Sequence, residues 1–159
     1  MNEKPRVYVE TSIIGFLTSR RSVNIHTASK QELTARWWDI EHGRYDLFAS
    51  RLVREEAGRG DADAAAERLS ILGPLPRLEI TPEVIDLADR LIAGSGMADK
   101  ARADSIHMAI SAVHRMSYLL TWNCRHIANA FLRPGITQIC LESGYTASIM
   151  CTPEELRHV

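Results

Sequence analysis

The sequence predicts an α/β fold, a central parallel sheet with helices on both faces. Three observations carry that expectation. Short β-forming runs recur at Val7-Tyr8-Val9, Tyr45 to Ala49, Leu78 to Ile80 and Tyr118 to Leu120. Between them lie segments whose apolar residues return at helical spacing. The connections are short, which leaves room for a single domain over 1-159 and little beyond it. Strands alternating with helices bury both faces of a parallel sheet.

Taken in order, Val7, Tyr8 and Val9 read as a buried strand, and Ile13, Ile14, Phe16 and Leu17 as the helix after it. Thr11 or Ser12 is placed to cap that helix, because a hydroxyl can accept from an unpaired first-turn amide. Glu10 falls at the carboxyl end of the strand, the edge of an open α/β sheet where ligands bind. Alone, it reads as a surface acid beside a helix N-terminus, where the dipole favours an anion. A second helix is expected over 27–42, capped by Thr27, with Leu33, Trp37 and Ile40 on one face and Trp38 off that stripe. An off-stripe Trp is more commonly core in a two-sided helix, and it can also anchor a protein partner.

Tyr45 to Ala49 is the second strand, and Ser50 caps a helix carrying Glu55 and Glu56 that ends at Gly58 and Gly60. Asp61 caps the next helix, which stops at Gly73-Pro74. After the short strand at Leu78 to Ile80, Thr81-Pro82-Glu83 is a helix start, a cap followed by Pro in the first turn. Lys100 to Met116 is the most regular helix, with Asp104 near its start. Tyr118 to Leu120 is a buried strand that runs into Thr121-Trp122-Asn123. Helical spacing returns at Ile127 and again at Ile136, Ile139 and Cys140, and Ile149 to Cys151 is a last strand.

Composition narrows the function. A formal net charge of -1 carries no electrostatic footprint for strong duplex binding. Cys124, Cys140 and Cys151 cannot all pair with one another, and no secretory signal is evident, so a reducing cytoplasm is expected. No apolar run approaches membrane-spanning length.

Three acids hold comparable places. Glu10 follows the first strand, Glu56 lies in the helix after the second, and Asp104 opens the long helix, while Asn123 ends the fourth strand. Right-handed crossovers gather carboxyl ends of strands and amino ends of helices on one edge. Carboxylates converging without a cation repel unless a metal ion is bound, and oxygen-only ligands suit Mg²⁺ or Mn²⁺ rather than zinc.

These residues carry a resemblance. Tyr8 to Ile14, Ser50 to Glu56, Ala103 to Ala109 and Leu119 to Asn123 stand in the order of the motifs of PIN-domain proteins. The chain is similar to the VapC-type ribonuclease toxins of bacterial toxin–antitoxin modules. The resemblance implies a Mg²⁺- or Mn²⁺-dependent endoribonuclease in which Glu10, Glu56 and Asp104 hold the ion and Asn123 positions water. It gives the Thr11 hydroxyl the role of steadying the site. It also implies single-stranded or looped RNA as substrate, a homodimer, and a small antitoxin protein as partner. Two positions depart from the usual pattern. Glu10 stands where the family usually has Asp, which keeps the charge and lengthens the arm, and Asn123 stands where Asp is frequent.

Other readings compete with these. A catalytically weak PIN-like binding module would work through RNA or protein contacts. A small nucleotide- or phosphate-binding protein is disfavoured, because no Gly-rich loop follows the first strand. The second acid falls on Glu56, with Glu55 one residue away as the alternative register. His107, His114, Cys124 and His126 match no common closed zinc spacing, and His107 is expected to pack or hydrogen-bond near the site. Arg20, Arg21, Arg102, Arg125 and His126 read as surface charges, some placed to flank the acidic edge and hold RNA phosphates.

Overall fold

In a computed structural model that describes residues 2–159, five parallel strands form one sheet in the order β3-β2-β1-β4-β5. The strands are β1 (Arg6–Val9), β2 (Asp46–Ser50), β3 (Arg77–Leu78), β4 (Tyr118–Leu120) and β5 (Ile149–Cys151). Seven helices flank them: α1 (Thr11–Thr18), α2 (Ile25–Ile40), α3 (Arg51–Ala57), α4 (Ala62–Leu72), α5 (Pro82–Gly94), α6 (Arg102–Val113) and α7 (Arg133–Glu142). β1 is the middle strand, and Val7, Tyr8 and Val9 are wholly buried, as a strand covered on both faces must be. α1 packs on α2, α3 and α4, while α5 packs on α6 and α7.

From β1 the chain steps outward through β2 to β3, then returns to the other side of β1 for β4 and β5. The sheet order therefore reverses between β1 and β4. A crevice opens at such a switch point, at the carboxyl ends of the strands. The register sets Val9 beside Leu120, and the Glu10 amide continues the ladder to the Leu120 carbonyl at 3.1 Å. Glu10 and Thr121 thus leave the sheet side by side.

Several boundaries differ from those the sequence predicts. The second helix starts at Ile25, two residues earlier, because the Asn24 side chain caps it by accepting from the Thr27 amide. Its inward residues are Thr34 and Trp37, and Ile40 is 60% exposed rather than part of the buried stripe. Trp38 is half-buried, tilted against Trp37 and stacked on His42 within the same chain. The long helix is α6, Arg102–Val113, preceded by a 3₁₀ turn over Asp99–Ala101. Ile127 lies in a turn, and α7 begins only at Arg133. No helix among the described residues is long and apolar enough to cross a membrane.

The C-terminal segment is fastened to α2. Trp37 Nε1 donates to the Leu156 carbonyl at 2.6 Å, and the Trp37 ring stacks on Tyr45. The nearly buried Glu41 carboxylate accepts from His158 Nδ1 at 2.8 Å and faces Arg44 at 3.4 Å. Burial pushes its pKa up, but the His158 bonds and the Arg44 charge outweigh that and hold it below its ordinary 4.5. A carboxyl depressed in the folded state contributes stability above its unfolded value and loses it as pH falls through the folded one. We therefore expect Glu41→Gln to melt below the parent at about pH 7, with the difference shrinking as pH falls below about 4.5. Paired thermal melts across that range read the effect, and a constant difference would show that Glu41 acts through packing alone.

Candidate active site at the carboxyl edge

Glu10 is the first residue past β1, and its extended backbone makes it the N-cap of α1. Its Oε2 accepts from the Ser12 amide at 3.0 Å, from the Ser12 hydroxyl, and from Thr121 Oγ1 at 2.9 Å. The cap is therefore Glu10, not Thr11 or Ser12, and the carboxylate is 6% exposed rather than a surface acid. One carboxylate oxygen of Glu10 thus serves both the first turn of its own helix and Thr121 at the end of β4. Thr11 is left as the first helical residue, with its hydroxyl free to point elsewhere.

That hydroxyl donates to Glu56 Oε1 at 2.7 Å. Glu56 sits on α3, which the Ser50 side chain caps by accepting from the Val53 amide at 3.0 Å. A short helix starting straight after β2 cannot carry its acids far from the sheet edge. One helical step separates the two candidates in direction: Glu55 is exposed and paired with Arg51 at 3.0 Å, while Glu56 turns inward. Glu56 Oε1 also accepts from His107 Nε2 at 2.7 Å. Burial pushes the Glu56 pKa up, yet the hydrogen bonds from His107 and Thr11 and the charge of Arg59 hold it below the usual carboxylate value.

Asp104 lies in the first turn of α6. Asn123 Nδ2 donates to its Oδ1 at 2.9 Å, and His126 Nδ1 lies 2.8 Å from its Oδ2. Asn123 is held in turn, since its amide donates to Thr121 Oγ1 at 2.9 Å and its Oδ1 accepts from the His126 amide at 3.0 Å. Glu10, Thr121, Asn123 and Asp104 therefore form one unbroken hydrogen-bonded run across the β1/β4 switch point. Thr11, next to Glu10 in the chain, joins Glu56 to it. Tyr8 feels both ends: burial first, then the charges of Glu10 and Glu56, raise its phenol well above the ordinary value.

Hard carboxylate and amide oxygens suit a divalent cation such as Mg²⁺ or Mn²⁺ by donor chemistry. Among the described residues, however, no three His, Cys, Asp or Glu side chains are gathered closely enough to hold one ion directly. The bonds fall on Oε2 of Glu10 and Oε1 of Glu56, and on both oxygens of Asp104. The arrangement is an edge of braced carboxylates, not a closed all-protein cage.

Four side chains brace the acids at this edge; the sequence places His107 near the site and His126 among the charges that can flank it, but does not give Thr121 or Ser12 this role. Thr121 and Ser12 brace Glu10, His107 braces Glu56, and His126 reaches Asp104 instead of standing free on the surface. Two of these had a signal. His107 is three residues after Asp104, on the same side of a helix, and His126 is three residues after Asn123, the spacing of a side-chain cap. Arg102 is tied to Asp89 in an ion pair, and Cys124 is exposed while Cys140 and Cys151 are buried. His114 bonds the Glu79 carbonyl, and among the described residues no three of the zinc reading gather at one point.

No family profile matches the sequence, and no curated protein matches it. Solved structures do. Over 81% of this chain and 95% of its own, VapC20 of Mycobacterium tuberculosis, described as a sarcin-ricin loop cleaving toxin, aligns with a TM-score of 0.61 at 14% identity. VapBC2 of Rickettsia felis, bound to a DNA fragment from its promoter, aligns over 92% of this chain and 98% of its own, with a TM-score of 0.60 at 11% identity. DNA-bound VapBC of Salmonella typhimurium aligns over 94% and 98%, with a TM-score of 0.58 at 12% identity. At these identities the likeness is one of fold, and the fold is that of the PIN-domain VapC toxins.

Proposed function

We propose that this chain is a metal-dependent endoribonuclease of the PIN type and the toxin of a toxin–antitoxin pair. The observation that carries the reading is the braced run of Glu56, Glu10 and Asp104 at the switch point of a VapC-like sheet. Mg²⁺ keeps several waters and is commonly held by one or two carboxylates together with substrate phosphates. An edge that offers carboxylates without a closed cage suits that mode. Of Glu10, Glu56 and Asp104, no more than two would hold the ion directly and the rest through water, and when bound it would lower the pKa of a water and neutralise charge on the scissile phosphate. The chain's own work is positional. Ser12 and Thr121 fix Glu10, Thr11 fixes Glu56, and Asn123 fixes Asp104 and offers its amide to bound water.

Single-stranded or looped RNA is the substrate class in this reading, because a splayed backbone can bring a single phosphate up to a row of carboxylates more readily than a duplex can. The Mycobacterium tuberculosis neighbour is named for cleaving a loop. A small antitoxin protein is the partner, as the neighbours described as VapBC complexes suggest. A homodimer belongs to the same reading, and light scattering checks it. The deciding experiment incubates a panel of structured RNAs with the protein and Mn²⁺, Mg²⁺ or a chelator. Cleavage with the ions and none with chelator is the expected result. RNA binding without cleavage under any ion would favour the catalytically weak binding module, a reading that Asn123 in place of an acid makes specific. Glu55→Gln is expected to leave cleavage unchanged, since Glu55 points to solvent.

A further inference from the structure

We infer that His107 is a positioning residue for Glu56, holding the carboxylate from behind through a buried chain that ties together the elements carrying the three acids. The inference rests on the ribonuclease reading for its consequence and on side-chain geometry for its substance. His107 is 1% exposed. Its Nε2 lies 2.7 Å from Glu56 Oε1 and its Nδ1 lies 2.6 Å from the Tyr8 hydroxyl. The Tyr8 hydroxyl is 2.7 Å from Ser50 Oγ, which also accepts from the Val53 amide.

Donor arithmetic gives this chain a direction. An ionised carboxylate can only accept, so Nε2 carries a proton and donates to Glu56. Ser50 Oγ uses a lone pair on the Val53 amide, which leaves its own proton for the Tyr8 oxygen. Tyr8 then donates to Nδ1, and each group uses one donor and one acceptor. The tautomer of a buried imidazole is set by the partner of its other nitrogen. Tyr8 is two residues before Glu10 on β1, Ser50 caps the helix that bears Glu56, and His107 lies on α6 with Asp104. With Oε1 of Glu56 held by His107 and Thr11, Oε2 is the oxygen left to serve the site.

A histidine that merely fills the core would look similar, so the test turns on which nitrogen matters. His107→Gln places an amide N–H where Nε2 stands and can still reach Glu56. His107→Asn reaches only the Nδ1 position, keeping Tyr8 and losing Glu56. In the full chain, calorimetric titration with Mn²⁺ alone and RNA cleavage with Mn²⁺ are compared for the parent and both variants, with thermal melts beside them. The Gln variant should keep most of the parental Mn²⁺ affinity and rate. The Asn variant should lose about ten- to a hundredfold in both, the usual cost of removing a group that orients a metal ligand. Equal behaviour of folded Asn and Gln variants would overturn the inference.

A spectroscopic readout needs neither activity nor a folded Asn variant. The parent should show a downfield, slowly exchanging His107 Nε2–H proton by NMR that moves upfield in Glu56→Gln, where the acceptor loses its charge. Absence of that resonance, or its indifference to Glu56→Gln, would also overturn the inference. If the parent cleaves no RNA, the ribonuclease reading falls, while the resonance still decides whether His107 holds Glu56.

Discussion

Asp104→Asn should lower ion-dependent RNA cleavage by about tenfold or more while leaving the fold in place. Asp104 is the acid furthest along the hydrogen-bonded run, and it meets the rest only through Asn123 and His126. An Asn there keeps an oxygen to accept from Asn123 Nδ2. Its new amide would face His126 Nδ1, and a neutral imidazole can present a lone pair at that nitrogen. The local bonds therefore survive by a change of donor, and the melt should move little. What is lost is one negative charge, and ligand charge sets the affinity for a hard cation. The rate should recover in part at higher Mn²⁺ if weaker binding is the cause. A folded variant with the parental rate at every Mn²⁺ concentration would remove Asp104 from the mechanism.

Asn123→Asp should destabilise the protein without metal and make it more responsive to Mn²⁺ than the parent. Asn123 Nδ2 donates to Asp104 Oδ1 at 2.9 Å. The substitution replaces a donor with a second carboxylate at hydrogen-bond distance, and like charges so close disfavour the ionised state of both. The Oδ1 bond from the His126 amide can remain, so the turn itself is kept. Losing a bond to a charged group and adding repulsion should cost about 1–3 kcal/mol at neutral pH. An ion that binds only the folded state stabilises it by mass action, and a site with one more charge binds it more tightly. The metal-induced rise in melting temperature should therefore be larger in the variant, and cleavage should rise if ion binding limits the parent. Equal metal-induced shifts in the two proteins would show that position 123 does not face the ion.

The alternation of strands and helices was legible because burial demands it. Val7 to Val9 and Tyr118 to Leu120 can be core only as covered strands, and helices must cover them. The edge on which Glu10, Glu56, Asp104 and Asn123 would lie followed from chain direction alone, since connections in parallel sheets have a fixed hand. Local caps at Ser50, Asp61 and Thr81 were equally plain, because a cap concerns residues within one turn of each other.

What the sequence left open turned on contacts between distant residues. Whether Glu55 or Glu56 faced inward depended on the angle at which α3 leaves β2, and Arg51 and His107 each took one of them. Glu10 became a buried cap because Thr121, 111 positions away, offered its carboxylate a donor where water would otherwise have been. The sequence placed His107 near the site and His126 among the charges beside the acidic edge, but which carboxylate each would meet was decided only when the sheet edge, α3 and α6 came together. A sequence states which groups can donate and accept. Only the folded chain decides which of them share a low-dielectric edge, where an unpaired donor or charge is costly and the pairing is therefore strict.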